Sequence, residues 1–204
     1  MSGYKPRYYE LRFFMLVEKD EITIRLMDDK QENYQLMAKW LSDERVLEFY
    51  EGRDNPFDLS KVIESYQPMV RGNDTTKPCF IYSQNITIGY LQYYLLDDLP
   101  QADKQKYCLG KTNNVYGFDL FIGEPNYWHR GIGTKVLTMA VNYIFEVFLA
   151  NKVVVDPRVE NTRAIRCYEK VGFAKVRLLP AHELHEGKYS DCWLMAIEGK
   201  KSLH

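Results

Sequence analysis

Only four of the 204 residues are cysteine, and Cys79, Cys108, Cys167 and Cys192 stand far apart with no CxxC pair. That spacing argues against a disulfide frame and reads as reduced thiols in a chain of this size. Long apolar runs are also missing. The best N-terminal stretch, Phe13-Phe14-Met15-Leu16-Val17, is shorter than a signal-peptide core and runs straight into Glu18, Lys19, Asp20 and Glu21. No segment approaches the length of a membrane span. Nor does one charge dominate: 27 Lys and Arg oppose 28 Asp and Glu, for a formal net charge of −1 and a pI of about 6.4. No nucleic-acid partner is expected, because such surfaces need a basic excess. Internal repeats and low-complexity tracts are absent. What is present is 46% hydrophobic and 27% charged, which fits one cytoplasmic globular domain with a substantial core.

The chain is organised around Tyr116 to Phe148. Tyr116-Gly117-Phe118-Asp119-Leu120-Phe121-Ile122 alternates and reads as a strand. Ile132, Val136, Ala140, Tyr143, Ile144, Val147 and Phe148 recur at helical spacing and predict one buried helix face. Arg130-Gly131-Ile132-Gly133-Thr134 opens that helix. Glycines let a backbone approach a ligand, and first-turn N–H groups have no partner within their helix, so the position suits a pyrophosphate. Alone, such a GxG reads equally well as a plain loop before a core helix.

Residues 1–20 read as a leader of unassigned role, and 199–204 as a frayed tail. A first strand spans 21–27 with Ile22, Ile24 and Leu26 inward. Asp28-Asp29 is expected to cap a helix carrying Tyr34, Met37, Ala38, Trp40 and Leu41. Further helices are expected over 42–50 and 58–71. Strands follow over 77–84 and 86–96, joined by a tight turn at Ser83-Gln84-Asn85, with Gly89 marking a bulge or a close backbone approach. Residues 97–114 read as a long polar loop. Val153-Val154-Val155 reads as a buried parallel strand, with Asp156 at the carboxyl end where α/β sheets place ligand groups. Asn161 caps a short helix that Gly172 ends. Strands over 173–179 and 190–197 close the sheet, linked by residues 180–187.

This order of elements resembles the GNAT superfamily of acyl-CoA-dependent N-acyltransferases. The resemblance rests on Arg130-Gly131-Ile132-Gly133-Thr134 and on Asn161-Thr162-Arg163-Ala164-Ile165-Arg166-Cys167-Tyr168-Glu169-Lys170-Val171-Gly172-Phe173, two motifs at the expected separation. Within the superfamily the chain is similar to the aminoglycoside 6′-N-acetyltransferases, through Trp40 to Tyr50, Ile88-Gly89-Tyr90, Gly117-Phe118-Asp119, Phe121 to Trp128, Val155-Asp156-Pro157 and Pro180 to Lys188. It departs from the superfamily pattern at Trp128, where Gln or Arg usually stands. The resemblance implies a GNAT fold, α/β with an α+β mixed sheet and splayed central strands, over residues 21–198. It implies acetyl-CoA as acetyl donor, no metal, and a cationic aminoglycoside as substrate of a monomer or homodimer.

Site residues follow on the same footing. Backbone groups at Arg130, Gly131, Gly133 and Thr134 would cradle the pyrophosphate, with His129 and Arg130 near other phosphates or simply an exposed basic rim. Leu120 and Phe121 would hydrogen-bond the acyl arm, as would Asn161, unless Asn161 is only a cap. Asp119 is the candidate proton acceptor, and Tyr168 the candidate donor to the departing thiolate, or a core tyrosine. Phe49 and Tyr50 form one wall of the substrate cleft or belong to the core. Gln92 and Tyr94 face the cleft or a solvated edge. Asp119 and Asp156 are expected to bind amines, with Asp156 alternatively a turn residue before Pro157, and Glu183 and Glu186 to bind further amines. His182-Glu183-Leu184-His185-Glu186 lacks the HExxH spacing of a metal helix. Direct transfer in a ternary complex, conferring antibiotic resistance, is the expected route. The rival readings are a GNAT enzyme of another amine, such as a polyamine or a protein N-terminus, and a non-catalytic acyl-CoA-binding module.

Overall fold

The computed structural model of the chain describes residues 15–107 and 113–199. Its strands are β1 (Met15–Lys19), β2 (Ile22–Leu26), β3 (Lys77–Ser83), β4 (Ile86–Leu95), β5 (Val115–Ile122), β6 (Lys152–Val155), β7 (Ala174–His185) and β8 (Lys188–Glu198). They form one eight-stranded sheet in the order β1-β2-β3-β4-β5-β6-β8-β7. Every neighbouring pair is antiparallel except β5 and β6, which run parallel. This is the mixed α/β sheet the sequence predicts.

The sheet has two apolar faces because strand residues alternate sides. Phe80 of β3 joins Tyr34, Met37, Trp40, Val62 and Tyr66 from α1 (Gln31–Trp40) and α3 (Leu59–Val70). Its neighbours Cys79 and Ile81 join Val136, Ala140, Ile144 and Ile165 from α5 (Ile132–Val147) and α6 (Thr162–Val171) on the other face. Trp40 is fully buried. It packs edge-on against Phe80 and Phe121 and donates its indole N–H to Glu124 at 2.9 Å.

Several expectations change in the fold. The leader is not all outside the sheet, since Met15–Lys19 pairs with β2; residues 1–14 and 200–204 lie outside the described residues. Asp28-Asp29 does not cap α1, whose N-cap position is Lys30 with no side-chain cap. Asp29 instead accepts from Tyr34 Oη and Arg71 Nε, each at 2.7 Å, and so ties α1 to α3. The helix expected over 42–50 shrinks to α2 (Glu44–Leu47), capped by the Asp43 side chain. The loop expected over 97–114 holds a 3-10 turn at Leu96–Asp98 and α4 (Gln101–Lys106), with residues 108–112, Cys108 among them, outside the described residues. Val147 leaves the predicted helix face and is 54% exposed, while Leu137, Met139 and Val141 are buried. The expected connection over 180–187 is strand: β7 and β8 continue to a tight turn at Glu186-Gly187.

Gly89 meets both readings offered for it. The β3–β4 register slips between Ile81 and Tyr82, opposite Gly89 and Thr87. A Cβ on Gly89 would sit 2.5 Å from the Phe121 carbonyl oxygen and 3.0 Å from Ile122 Cα, both backbone atoms. Gly89→Ala is therefore expected to cost about 1–3 kcal/mol through overpacking, or roughly 2–12 °C in Tm for a chain of this size. A thermal melt unchanged from wild type would show that Gly89 does not set the β4–β5 spacing.

Candidate active site

The site begins at the opening turn of α5. Gly131, its N-cap, has φ of +74°, a backbone region costly to any L side chain but open to glycine. A Cβ there would meet nothing within 4 Å, so dihedral rather than crowding selects glycine. The first helical bond runs from Lys135 N–H to Gly131 O at 3.1 Å. The N–H groups of Ile132, Gly133 and Thr134 thus precede the ladder and point their partial positive charge out of the helix end.

The sheet supplies the second part. Parallel pairing of β5 with β6 runs Val115↔Lys152, Tyr116↔Val153, Gly117↔Val154 and then stops. β5 continues to Ile122, so its last residues have β4 on one side and an unpaired edge on the other. That edge opens on a cleft of about 550 Å³. Leu120 and Phe121 line it, with Gly131, Gly133, Thr134, Asn161 and Tyr168 opposite, and Phe49 and Tyr50 form a further wall. Tyr50 packs against Phe121 with ring centroids 4.7 Å apart. The fold thus brings these predicted residues together. Arg130 does not line that cleft: its guanidinium lies 5.6 Å from the Tyr127 ring, and it lines an adjoining groove with Glu21, Ser83 and Lys135 that shares Gly131 and Ile132 with the cleft. Asn161 performs its capping role, its Oδ1 accepting from Ala164 N–H at 3.1 Å, while also lining the cleft.

Acidic groups meet beside the cleft. Gln92↔Asp119 and Tyr94↔Gly117 are register partners of β4 and β5, so Tyr90, Gln92, Tyr94 and Asp119 share a sheet face. Tyr90 Oη donates to Gln92 Oε1 at 2.8 Å, and Gln92 Nε2 donates to Asp119 Oδ2 at 2.9 Å. A Cβ on Gly117 would sit 2.6 Å from the Tyr94 ring; glycine is what lets that ring lie over β5. Asp119 is half-buried, and its carboxyl is pushed up to about 7, first by desolvation and then by the charge of Asp156. Asp156 accepts from Tyr107 Oη at 3.1 Å and sits 2.9 Å from His182 Nε2, both on Oδ2. Tyr168 joins cleft and acids. It is 9% exposed, and burial, with Asp119 and Asp156 nearby, holds its phenol well above the usual tyrosine range.

The expected outer acids are already engaged. Glu186 receives Arg53 Nη2 at 2.8 Å, and that hydrogen bonding pulls its carboxyl down to about 2. Glu183 pairs with Arg158 at 3.1 Å, and Arg158 also donates to the Glu48 carbonyl at 2.7 Å. Each acid thus has an arginine partner in the fold. Trp128 Nε1 donates to the Ile122 carbonyl at 2.7 Å, bracing the strand end. Sequence reasoning gave no role to Arg163, whose guanidinium lies 4.9 Å from the rings of both Phe49 and Trp128. It also missed Tyr107 and His182 as partners of Asp156. The cation between aromatic rings had no linear signal, since its partners lie far away in the chain. Among the described residues no group of His, Cys, Asp and Glu could hold a metal ion, and no helix is long and apolar enough to cross a membrane.

Parallel strands that part over the start of a helix, with donors converging from both, are how an acyl-CoA-dependent N-acetyltransferase seats its donor, and the fold and cleft correspond to that class. The chain belongs to the GNAT family: the family model described as "Acetyltransferase (GNAT) domain" matches residues 29–180. It is an acetyl-CoA-dependent N-acetyltransferase. It is 30% identical over 157 residues, covering 76% of this chain and 75% of the relative, to an aminoglycoside N(6′)-acetyltransferase type 1 of Klebsiella pneumoniae. Among solved structures, the aminoglycoside acetyltransferase AAC(6′)-Ib with coenzyme A and kanamycin superposes with a TM-score of 0.72 at 25% identity, over 87% of this chain and 94% of that one. A spermidine N-acetyltransferase of Vibrio cholerae shares the fold, with a TM-score of 0.71 at 18% identity over 91% of this chain and 100% of that one.

Proposed function

We propose that the protein transfers acetyl from acetyl-CoA to the 6′-amine of aminoglycosides, by direct attack in a ternary complex, and so confers resistance. The observation that carries this reading is the pair Asp119 and Asp156, close enough that the charge of Asp156 raises the cost of ionising Asp119 beside an acyl-CoA cleft. Two converging carboxylates suit a substrate with several ammonium groups. Bound acetyl-CoA supplies the acetyl thioester. Ile132, Gly133 and Thr134 N–H groups would hold its pyrophosphate, and Leu120, Phe121 and Asn161 its acyl arm.

Asp119 accepts the proton of the reacting ammonium. A carboxylate beside an ammonium ordinarily favours the non-nucleophilic form. Here burial raises Asp119 and disfavours both charges, so proton transfer from amine to carboxylate is less uphill than in water. Asp156 holds a neighbouring ammonium. Tyr168, kept protonated by its surroundings, returns a proton to the departing sulfur. Cys167, which lines the cleft, faces the Thr134 hydroxyl at 3.4 Å rather than a base, which favours direct transfer over an acyl-enzyme.

Thiol release from acetyl-CoA is expected to be rapid with kanamycin, which has a 6′-amine, and slow with paromomycin, which carries a 6′-hydroxyl. Equal turnover of both would refute the position of attack. Turnover of spermine alone would move the substrate class to polyamines.

A further inference from the structure

We propose that His182 is a positioning residue for Asp156, aimed there by a bulge built into β7. The β7–β8 register passes from Leu179↔Cys192 to Glu183↔Ser190. Between those pairs β7 spends Pro180, Ala181 and His182 where β8 spends only Asp191. Bulges of this kind re-aim side chains and gather beside active sites. Ala181 adopts φ of +47° without being glycine, a conformation that persists only where its surroundings over-determine it. Asp191, the opposing residue, supplies the constraint: its Oδ1 accepts the Ala181 N–H at 2.9 Å.

The bulge turns the imidazole inward. His182 is 16% exposed at its side chain, with Nε2 2.9 Å from Asp156 Oδ2. Tyr107 Oη reaches the same oxygen at 3.1 Å, and its ring stands edge-on to the imidazole at 6.3 Å. Both contacts fall on Oδ2, and among the described residues no side chain donates to Oδ1. The carboxylate is thereby fixed by one oxygen, and the other is the oxygen this proposal gives to a substrate ammonium. A carboxylate held in this way binds an ammonium without first losing rotamer freedom. His182 acts through Asp156 and touches no reacting atom.

This inference rests on the reading of Asp156 as an ammonium-binding group, and the test separates the two. KM and kcat for kanamycin, and KM for acetyl-CoA, are compared in wild type, Asp156→Asn, His182→Ala and His182→Gln. His182→Ala is expected to raise KM for kanamycin about tenfold, the scale of one hydrogen bond to a charged group, with kcat and the acetyl-CoA KM little changed. Glutamine can donate to the same oxygen, so His182→Gln recovers most of the loss, as does imidazole added to His182→Ala. A wild-type KM in His182→Ala while Asp156→Asn is impaired would overturn the role of His182 and leave the substrate reading standing. A loss that neither glutamine nor imidazole recovers, accompanied by a lower Tm, would overturn it in favour of a packing role. Wild-type behaviour of Asp156→Asn would overturn both.

Discussion

Asp119→Asn is expected to lower kcat with kanamycin by about a hundredfold or more, the range lost when a positioned general base is removed. The pH dependence identifies the group responsible. Asp119 must be ionised to accept a proton, and its carboxyl is pushed up to about 7. In the wild type kcat/KM should therefore fall about tenfold per pH unit below about 7, and in the variant that limb should vanish. Stability moves the other way. The folded value of about 7 lies above the ordinary 3.8, so folding favours the protonated acid and the ionised carboxylate burdens the fold. That burden is absent below the ordinary value, grows between the two, and is complete above about 7. Asp119→Asn should thus melt above wild type at pH 8, with the difference closing near pH 4. A variant both inactive and less stable would mean that the asparagine had disrupted the site.

Tyr168→Phe is expected to lower kcat by about a hundredfold with the KM for both substrates nearly unchanged. The substitution isolates the hydroxyl. The ring contacts with Phe118 and Phe173, at centroid distances of 6.5 and 5.6 Å, survive in phenylalanine, so Tm should hold. Burial and the nearby acids keep the phenol protonated across the working range, which suits a donor and makes it a weaker acid than a free tyrosine. The proton is therefore delivered only as negative charge develops on the sulfur. A Tyr168→Phe enzyme with wild-type kcat would return Tyr168 to the core-tyrosine reading.

Much of this arrangement could be read along the chain because its signals are local. The glycine turn, the following helix, the valine strand and the Asn161 cap each need only near neighbours to be recognised. Gly131 and Asn161 hold the positions their residue types suggest, at φ +74° and as a side-chain cap. The misreadings arise where distant contacts decide. Asp29 looks like a cap but is recruited by Arg71 across α3. Pro180 to Gly187 looks like a polar connection because proline and glycine break the alternation, yet a bulge absorbs the proline and the strands run on to the tip. Nothing along the chain shows that Arg158 and Arg53 come onto Glu183 and Glu186, the acids expected to bind further amines; only the fold does. Asp119 and Asp156 were legible as candidate acids, with Asp119 falling inside β5 rather than at its end, but the rise in Asp119's pKa was not, since it depends on burial and on the nearby charge of Asp156.

The central claim is transfer to one nitrogen of a polycationic sugar. Its most direct test is the structure of the product made from kanamycin and acetyl-CoA, read by mass spectrometry and NMR. A single acetyl group on the 6′-nitrogen is the predicted result. An acetyl group on any other amine, or unmodified kanamycin beside consumed acetyl-CoA, would contradict the account.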